Sequence, residues 1–307
     1  MAQIWEAEFK IDIETVRSIL KEQFPELGEV RISLLGEGRN NIAFLVNKSY
    51  VFRFPRRQVA VELIVSESRF LPKLATRLPL QITSPCFIGK STAIFEYPFA
   101  GYPYIEGKPA YQFNKKADCI DVNATVLANF LKTLHSIAVD SETRSQAPGD
   151  KIGRTNLKRR AVKIEERLRR HRSQLPQIDI DGLITLVSNL SKTPPNQSPI
   201  FWVHGDLYPT HLLMDESGFL CGVIDWGSLH LGDPALDLSI AFTFLPVSAH
   251  KDFRQRYGEI TSDCWNRARF TSIYNGAALL DYGIDTKDID FIEMGKQALT
   301  SGFDGSE

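Results

Sequence analysis

His204, Asp206, His211 and Asp225 fall within VHGDLYPTHLLMDESGFLCGVIDWGSLHLGDPALD, the stretch that runs from residue 203 to residue 237. An apolar pair leads into His204-Gly205-Asp206, His211 follows five residues after Asp206, and a polar turn occupies residues 215–218. A second apolar strand, residues 220–224, then delivers Asp225. Acids at the ends of two short strands joined by a turn can converge on one site. Two kinds of chemistry use such a pair. A hard cation such as Mg2+ on nucleotide phosphates takes oxygen ligands, often one or two carboxylates with the phosphates supplying the rest. A separate carboxylate can orient an attacking hydroxyl and accept its proton. The same acids could instead cap the turns of an ordinary hairpin, so the wider pattern decides.

That pattern is H-G-D-x4-H, then I-D-W-G, then G-D-P-x2-D, in this order and spacing. It resembles the catalytic segment of the aminoglycoside phosphotransferase family, which includes macrolide and choline kinases and shares the protein-kinase architecture. The corresponding protein-kinase pieces are the H-R-D-x4-N loop and D-F-G. The resemblance implies an α+β, bilobal, protein-kinase-like fold. A small mixed sheet-plus-helix N-lobe would span residues 1–106, and a larger, mainly helical C-lobe residues 107–307. It also implies Mg2+, ATP or GTP as phosphoryl donor, and a small-molecule hydroxyl as acceptor. Asp206 would be the catalytic base and Asp225 a metal ligand. Most relatives place asparagine at the position of His211 as a magnesium ligand, whereas H-G-D-L-Y-x-x-H is similar to the macrolide kinases. Imidazole suits a hard ion less well than an amide oxygen. His211 is therefore expected at the metal site, either as a ligand or hydrogen-bonded to a phosphate or to Asp206.

The elements that must position these groups begin with a helix over residues 11–24, where Ile13, Val16, Leu20 and Phe24 share a face, Asp12 caps the start and Pro25 follows the end. Strands at 30–35 and 43–46 then flank Gly36-Glu37-Gly38-Arg39-Asn40-Asn41. Such a turn lets backbone N–H groups approach a polyphosphate, although it also reads as a plain hairpin. Asn41 stands where a third glycine would complete G-x-G-x-x-G, and the family resembles this form better; Gly36, Gly38, Asn40 and Asn41 are the candidate phosphate contacts. In the next strand, residues 50–57, alternation puts Val51, Arg53 and Pro55 on one face. By the resemblance, Arg53 occupies the place of the phosphate-binding lysine, a departure that exchanges a point charge for a planar fork. Its partner would lie on a helix over 61–78, with Glu67 chosen from S-E-S-R-F-L and Glu62 as the fallback. Strands are expected at 82–88 and 92–97. The segment 99–107 then breaks the pattern; by the resemblance it is the hinge, where backbone groups of Tyr102, Tyr104 and Ile105 would meet the purine.

Beyond the hinge, residues 121–137 carry Leu127, Phe130, Leu131 and Leu134 at helical spacing, with His135 read as a packing histidine. Residues 151–175 hold ten Lys or Arg against two Glu, a net of +8. No aromatic interleaves them, which removes the stacking a single-strand binder needs and favours a solvated face. A loop at 193–199 ends this section. Asp233 is read as support for the catalytic loop and Asp237 as a cap for the next helix. Helices are expected at 235–245, 250–257, 262–280 and 289–300.

Bulk properties exclude several classes. The 307 residues carry a net charge of −1, with 43% hydrophobic and 24% charged residues, so nothing pulls the chain towards nucleic acid or an anionic membrane. Four scattered cysteines form no CxxC pair, no apolar run reaches membrane length, and MAQIWEAEFKID lacks a signal-peptide pattern, which together predict a cytoplasmic protein. Two antibiotic acceptors compete: acids of the tail (Glu259, Asp263, Asp281, Asp285) would suit a polycationic aminoglycoside, and Phe242, Phe244, Phe270 and Tyr274 an apolar macrolide. A choline- or sugar-like metabolite is a third acceptor. A protein kinase fits less well because no A-P-E element follows Asp225. A kinase-shaped nucleotide-binding protein without catalysis is the last alternative.

Overall fold

The computed structural model describes residues 9–38, 40–113, 117–196 and 200–305. Arg39 of the glycine-rich turn and residues 197–199 of the expected loop therefore lie outside what is described. The chain divides into two compact units: Met1–Glu106 with Ile224–Ser228, and Gly107–Val223 with Leu229–Glu307. The short segment Ile224–Ser228, which carries Asp225, thus groups with the first unit rather than with the residues around it in sequence.

The first unit is built on an antiparallel sheet with β1 (Ile32–Glu37), β2 (Asn41–Val46), β3 (Tyr50–Pro55), β5 (Phe87–Gly89) and β6 (Phe99–Pro103) in the order β1-β2-β3-β6-β5; a short β4 is Gln81–Ile82. Alternation drives it: Ile42, Phe44 and Val46 of β2 and Phe52 and Phe54 of β3 are buried while their neighbours, apart from buried Pro55 at the end of β3, are not fully so. Helix α1 (Ile13–Gln23) starts where the Asp12 carboxylate accepts from Thr15 N–H at 2.8 Å, and it buries Val16, Ile19 and Leu20. An aromatic cluster fills the space between, with Phe54 stacked on Phe99 at 4.4 Å. Helix α2 (Gln58–Ala75) buries Ile64, Glu67 and Phe70.

Two expectations fail here for local reasons. Residues 92–97 form no strand, because the Thr92 hydroxyl accepts from Ile94 and Phe95 N–H and closes a turn. The strand in that part of the sheet is β6, so Phe99–Pro103, expected to break the pattern, continues it. The strand expected at 82–88 is interrupted around Pro85, which cannot donate to a ladder.

The second unit is mainly helical. Its helices are α3 (Ala117–Ser136), α4 (Ser141–Gln146), α5 (Leu157–Arg170), α6 (Ile180–Leu190), α7 (Ala235–Leu238), α8 (Ile240–Phe244), α9 (His250–Tyr257), α10 (Ser262–Thr286) and α11 (Ile289–Asp304). The expected helix over 235–245 is divided at Ser239, whose hydroxyl donates to Leu236 O at 2.6 Å. Strands β7 (Lys108–Pro109), β9 (Leu212–Met214) and β10 (Leu220–Val223) pair antiparallel, as do β8 (Phe201–Val203) and β11 (His230–Gly232). Helix α10 is the axis of the core, with Phe270, Ile273, Ala277 and Leu280 meeting apolar residues of α5, α6 and α11.

Close approach of α10 and α11 depends on glycine: a Cβ on Gly295 would sit 2.7 Å from Leu280 N and 2.8 Å from Gly276 O. Gly295→Ala is expected to destabilise the protein by roughly 1–3 kcal/mol through overpacking, despite a helix-propensity gain of about 1 kcal/mol. The urea midpoint measures this, and a raised midpoint would contradict it. No helix among the described residues is long and apolar enough to cross a membrane.

Candidate active site

In the first unit, β1 and β2 run further towards each other than the sequence implied. Gly36 and Asn41 lie within the strands, and the connection shortens to residues 38–40, closed by Gly38 N–H donating to Asn41 O at 2.9 Å. A register shift between Leu34 and Gly36 marks a bulge just before the turn. Arg56 braces the connection: its guanidinium donates to Gly38 O at 2.9 Å and pairs with Glu37 at 3.3 Å, and its backbone N–H donates to Asn40 O at 2.8 Å. A Cβ on Gly36 would meet nothing of the described residues within 4 Å. Asn41 Oδ1 is buried without a hydrogen-bond partner among the described residues.

Behind the hairpin, β3 carries Arg53 towards α2. Its guanidinium meets Glu67 at 3.2 and 3.3 Å, while Glu62 lies exposed on the same helix. Tyr102 comes from the neighbouring strand β6 and donates its phenol to Glu67 Oε2 at 2.7 Å. Arg53 Nη2 also reaches Asp225 Oδ1 at 3.4 Å. The four side chains form one network. Glu67 is fully buried, and burial pushes its carboxyl upward against the pull of Arg53. For Arg53, burial acts to lower the pKa, but the Glu67 charge, with help from Tyr102 and Asp225, outweighs it and raises the value. Tyr102 is raised, by burial first and then by Glu67. Asp225 follows β10 with its backbone at φ 61°, in the left-handed region, and its side chain stays half exposed. That conformation costs a non-glycine residue about 1–2 kcal/mol, aspartate less than most, and such residues concentrate at functional sites.

Tyr102 therefore contributes its side chain to this network, not only a backbone edge. Of the other hinge candidates, Tyr104 N–H is occupied by Ser49 O at 2.8 Å. Ile105 forms no backbone hydrogen bond among the described residues.

In the second unit, His204-Gly205-Asp206 follows β8, and a 3-10 turn at Pro209–His211 leads into β9. Gly205 has φ 79°. The turn is held from below by Asp237, which is fully buried and accepts from His204 N–H and Gly205 N–H, both at 2.8 Å. His135 donates Nε2–H to the same carboxylate at 3.2 Å, and its Nδ1 lies 2.8 Å from the Tyr257 hydroxyl. Burial alone would raise the pKa of Asp237; the hydrogen bond and charge of His135, with His204 and Gly205, bring it below the ordinary carboxylate value. The two aspartates of G-D-P-x2-D thus exchange their expected parts. Asp237 supports the loop that carries Asp206, and Asp233 binds Arg267 at 2.6 Å while accepting from Ala235 N–H at 3.0 Å.

His211 Nδ1 lies 2.8 Å from the Asp206 carbonyl. A carbonyl only accepts, so Nδ1 carries the proton in this contact. The ring is flanked by His204 and Tyr208. His211 therefore braces the loop that carries Asp206.

A pocket of about 170 Å³ opens beside Asp206, lined among others by Arg154, Arg160, Tyr208, Tyr274 and Asn275. None of its arginines was singled out from sequence, where the basic run read as a solvated face. The residues offered for antibiotics fare unevenly. Phe242 and Phe270 are fully buried in the core, whereas Phe244 lines two other pockets of the second unit. Asp281 is engaged by Arg167, Arg170 and His171. Glu259, Asp263 and Asp285 are exposed, and Tyr274 does line the pocket.

With this geometry in place, comparison with known proteins is informative. The model of the phosphotransferase enzyme family, APH, matches residues 31–271. The GDP complex of wild-type aminoglycoside 2'-phosphotransferase-IIIa is 24% identical with a TM-score of 0.69, over 95% of this chain and 99% of that one. The GDP and kanamycin complex of APH(2")-IIia gives 24% and 0.68, over 94% and 98% of the two chains. Macrolide 2'-phosphotransferase MphH from Brachybacterium faecium gives 18% and 0.60, over 94% and 97%. At these identities the likeness is one of fold, and it is the α+β, bilobal, kinase-like fold expected from the sequence. The uncharacterized protein YcbJ of Bacillus subtilis (strain 168) is 30% identical over 63 residues, a match covering only 20% of this chain and 21% of that protein. The family model spans most of the chain, including both the Arg53–Glu67–Tyr102–Asp225 network and the Asp206 loop, and the chain belongs to the phosphotransferase enzyme family.

Proposed function

We propose that the protein transfers the γ-phosphoryl group of ATP or GTP to a hydroxyl of a small molecule. The observation that carries this is the network in which buried Glu67 and Tyr102 hold Arg53 beside Asp225. A fold keeps a guanidinium in such a frame, next to a carboxylate in a costly backbone conformation, when both have a ligand to hold. Arg53 would take phosphate oxygens through its fork. Gly36, Gly38, Asn40 and Asn41 would line the phosphates, with the open space over Gly36 allowing close approach, and the backbone at Ile105 would receive the base.

Asp225 supplies the hard oxygen donor that Mg2+ requires, and a nucleotide-bound magnesium needs only one or two carboxylates. Among the described residues there is no cluster of three or more metal-binding side chains, which fits an ion that takes its other ligands from phosphates. When bound, Mg2+ neutralises charge on the phosphates. His211, whose Nδ1 is taken up by the Asp206 carbonyl, would be a poorer match to a hard ion than an oxygen ligand.

Asp206 would orient the acceptor hydroxyl and take its proton. The acceptor oxygen forms a bond to the γ-phosphorus, the bond from phosphorus to the β–γ bridging oxygen breaks, and the nucleoside diphosphate leaves. Because such a transfer is carried by positioning and charge neutralisation, these few groups suffice. Consumption of nucleoside triphosphate places the reaction in the cytoplasm. Aminoglycosides and macrolides are acceptors of structurally similar proteins and head the panel; a hydroxylated metabolite is the second reading, favoured by the cationic lining of the Asp206 pocket.

The test is incubation of purified protein with Mg2+ and γ-labelled ATP or GTP against aminoglycosides, macrolides, choline, sugars and hydroxy acids. A phosphorylated product establishes the reading and its acceptor class together. Absence of nucleotide binding by the folded protein would sink it.

A further inference from the structure

The arginines of residues 151–172 are almost all matched with acceptors. Arg154 pairs with Asp150, Arg159 donates to Ile152 O and Gly153 O, Arg167 and Arg170 hold Asp281, Arg169 bridges to Glu165, and Arg172 binds Asp181. Arg160 differs. It is only 8% exposed, yet its guanidinium has neither carboxylate nor carbonyl acceptor among the described residues. It lies instead 4.0 Å over the ring of Tyr274 and lines the pocket that contains Asp206. A buried guanidinium with no acceptor in contact is costly; the Asp150 carboxylate, which Arg154 holds, attracts it only from a distance, and stacking on an aromatic ring recovers only part of the cost. Burial accordingly lowers the pKa of Arg160.

Resting on the phosphotransferase reading above, we propose that Arg160 binds an oxyanion group of the acceptor, so that the substrate is a small hydroxylated acid carrying a carboxylate or phosphate. Several features agree. A guanidinium presents a planar fork of donors matched to either group. The pocket places Arg160 and Asp206 along one lining, with Tyr208 and Tyr274 beside them, so a small acid could reach both. Tyr208, which also lines the pocket, feels both Asp206 and Arg160, so the base and the cation act within one small space. An acid seated on Arg160 would turn its hydroxyl towards Asp206. The ammonium groups of an aminoglycoside would meet Arg160 as like charge.

The experiment titrates wild type, Arg160→Gln and Arg160→Lys with glycerate, glycerol 3-phosphate, glycerol and kanamycin by calorimetry at low ionic strength. Wild type should bind one or both oxyanions saturably and bind glycerol far more weakly; the two oxyanions separate carboxylate from phosphate. Arg160→Gln should lose at least about tenfold in that affinity, and Arg160→Lys, which keeps charge without the fork, roughly fivefold. Should Arg160→Gln not fold, Arg160→Lys carries the comparison. No saturable oxyanion binding to wild type, equal binding by the variants, or tighter binding of kanamycin than of either oxyanion would overturn the assignment. The parent reading fails separately: a protein that binds oxyanions through Arg160 but never transfers phosphate keeps this pocket assignment and loses the phosphotransferase one. Asp206-dependent transfer to kanamycin, indifferent to Arg160, does the reverse.

Discussion

Asp206→Ala is expected to lower kcat by roughly 10²–10⁴-fold, the usual worth of a positioned general base, or about 3–5 kcal/mol of transition-state stabilisation. Nucleotide affinity should be retained, because the groups proposed to hold the nucleotide belong to the first unit and Asp206 to the second. The loss should appear in kcat and in kcat/KM alike, the signature of an interaction realised mainly in the transition state. Asp206→Asn separates two contributions: it preserves the shape and one acceptor but cannot take the proton, so its activity should fall nearly as far. A single-turnover assay with γ-labelled nucleotide and the acceptor found in the panel measures both. A loss below tenfold for Asp206→Ala would mean that another group accepts the proton, and the kinase-shaped alternative without catalysis would gain ground.

How much of this site could be read in the sequence varies with the kind of constraint. Asp206 and Asp225 stand in motifs whose spacing is fixed by short strands and a turn, and the resemblance those motifs carry made both acids candidates from the sequence alone. The proximity of Arg53 and Glu67 was accessible through the resemblance, which placed Arg53 and favoured Glu67 in S-E-S-R-F-L over Glu62; strand alternation and helix phase alone left both acids open. Tyr102 was seen only as backbone. A strand was expected at 92–97, and this placed the hinge too early; Thr92 closes a turn there instead and shifts the strand to Phe99–Pro103. Once Tyr102 lies on β6 opposite Val51, its side chain can reach Glu67.

Arg160 escaped for a different reason. In a run of ten basic residues nothing local marks the one without an acceptor; the distinction is made by partners far away in the chain, such as Asp281 and Tyr274. The alternation of roles between Asp233 and Asp237 is of the same type. Both sit at the start of a helix and either could cap it. Only the fold reveals that Arg267 claims Asp233 and that two loop N–H groups claim Asp237. Pattern reading finds groups that face a ligand, and it is weakest for the buried groups that hold them.

Asp237→Asn tests that supporting layer and should be the most damaging substitution to stability. The carboxylate accepts three donors, from His204 N–H, Gly205 N–H and His135 Nε2. An amide has a single acceptor oxygen, and its NH2 would face at least one of these donors in a site with no water access. Breaking a buried, charged arrangement of this kind costs about 3–5 kcal/mol, and each abandoned donor about 1–3 kcal/mol, so the urea midpoint should fall by a large fraction of total stability. A distinct acid dependence should accompany it. The folded pKa of Asp237 lies below its ordinary value of 3.8, so the unfolded chain takes up the proton first as pH falls. The contribution of this carboxylate is fully present above the unfolded value and is lost as pH falls from there through the folded one. The stability gap between wild type and Asp237→Asn should therefore be constant near neutrality and shrink below about pH 3.8. Denaturation at a series of pH values measures the gap directly, with other carboxylates cancelling in the difference. A gap that stays constant on acidification would assign the cost to shape alone and remove the charge of Asp237 from the account of how the Asp206 loop is held.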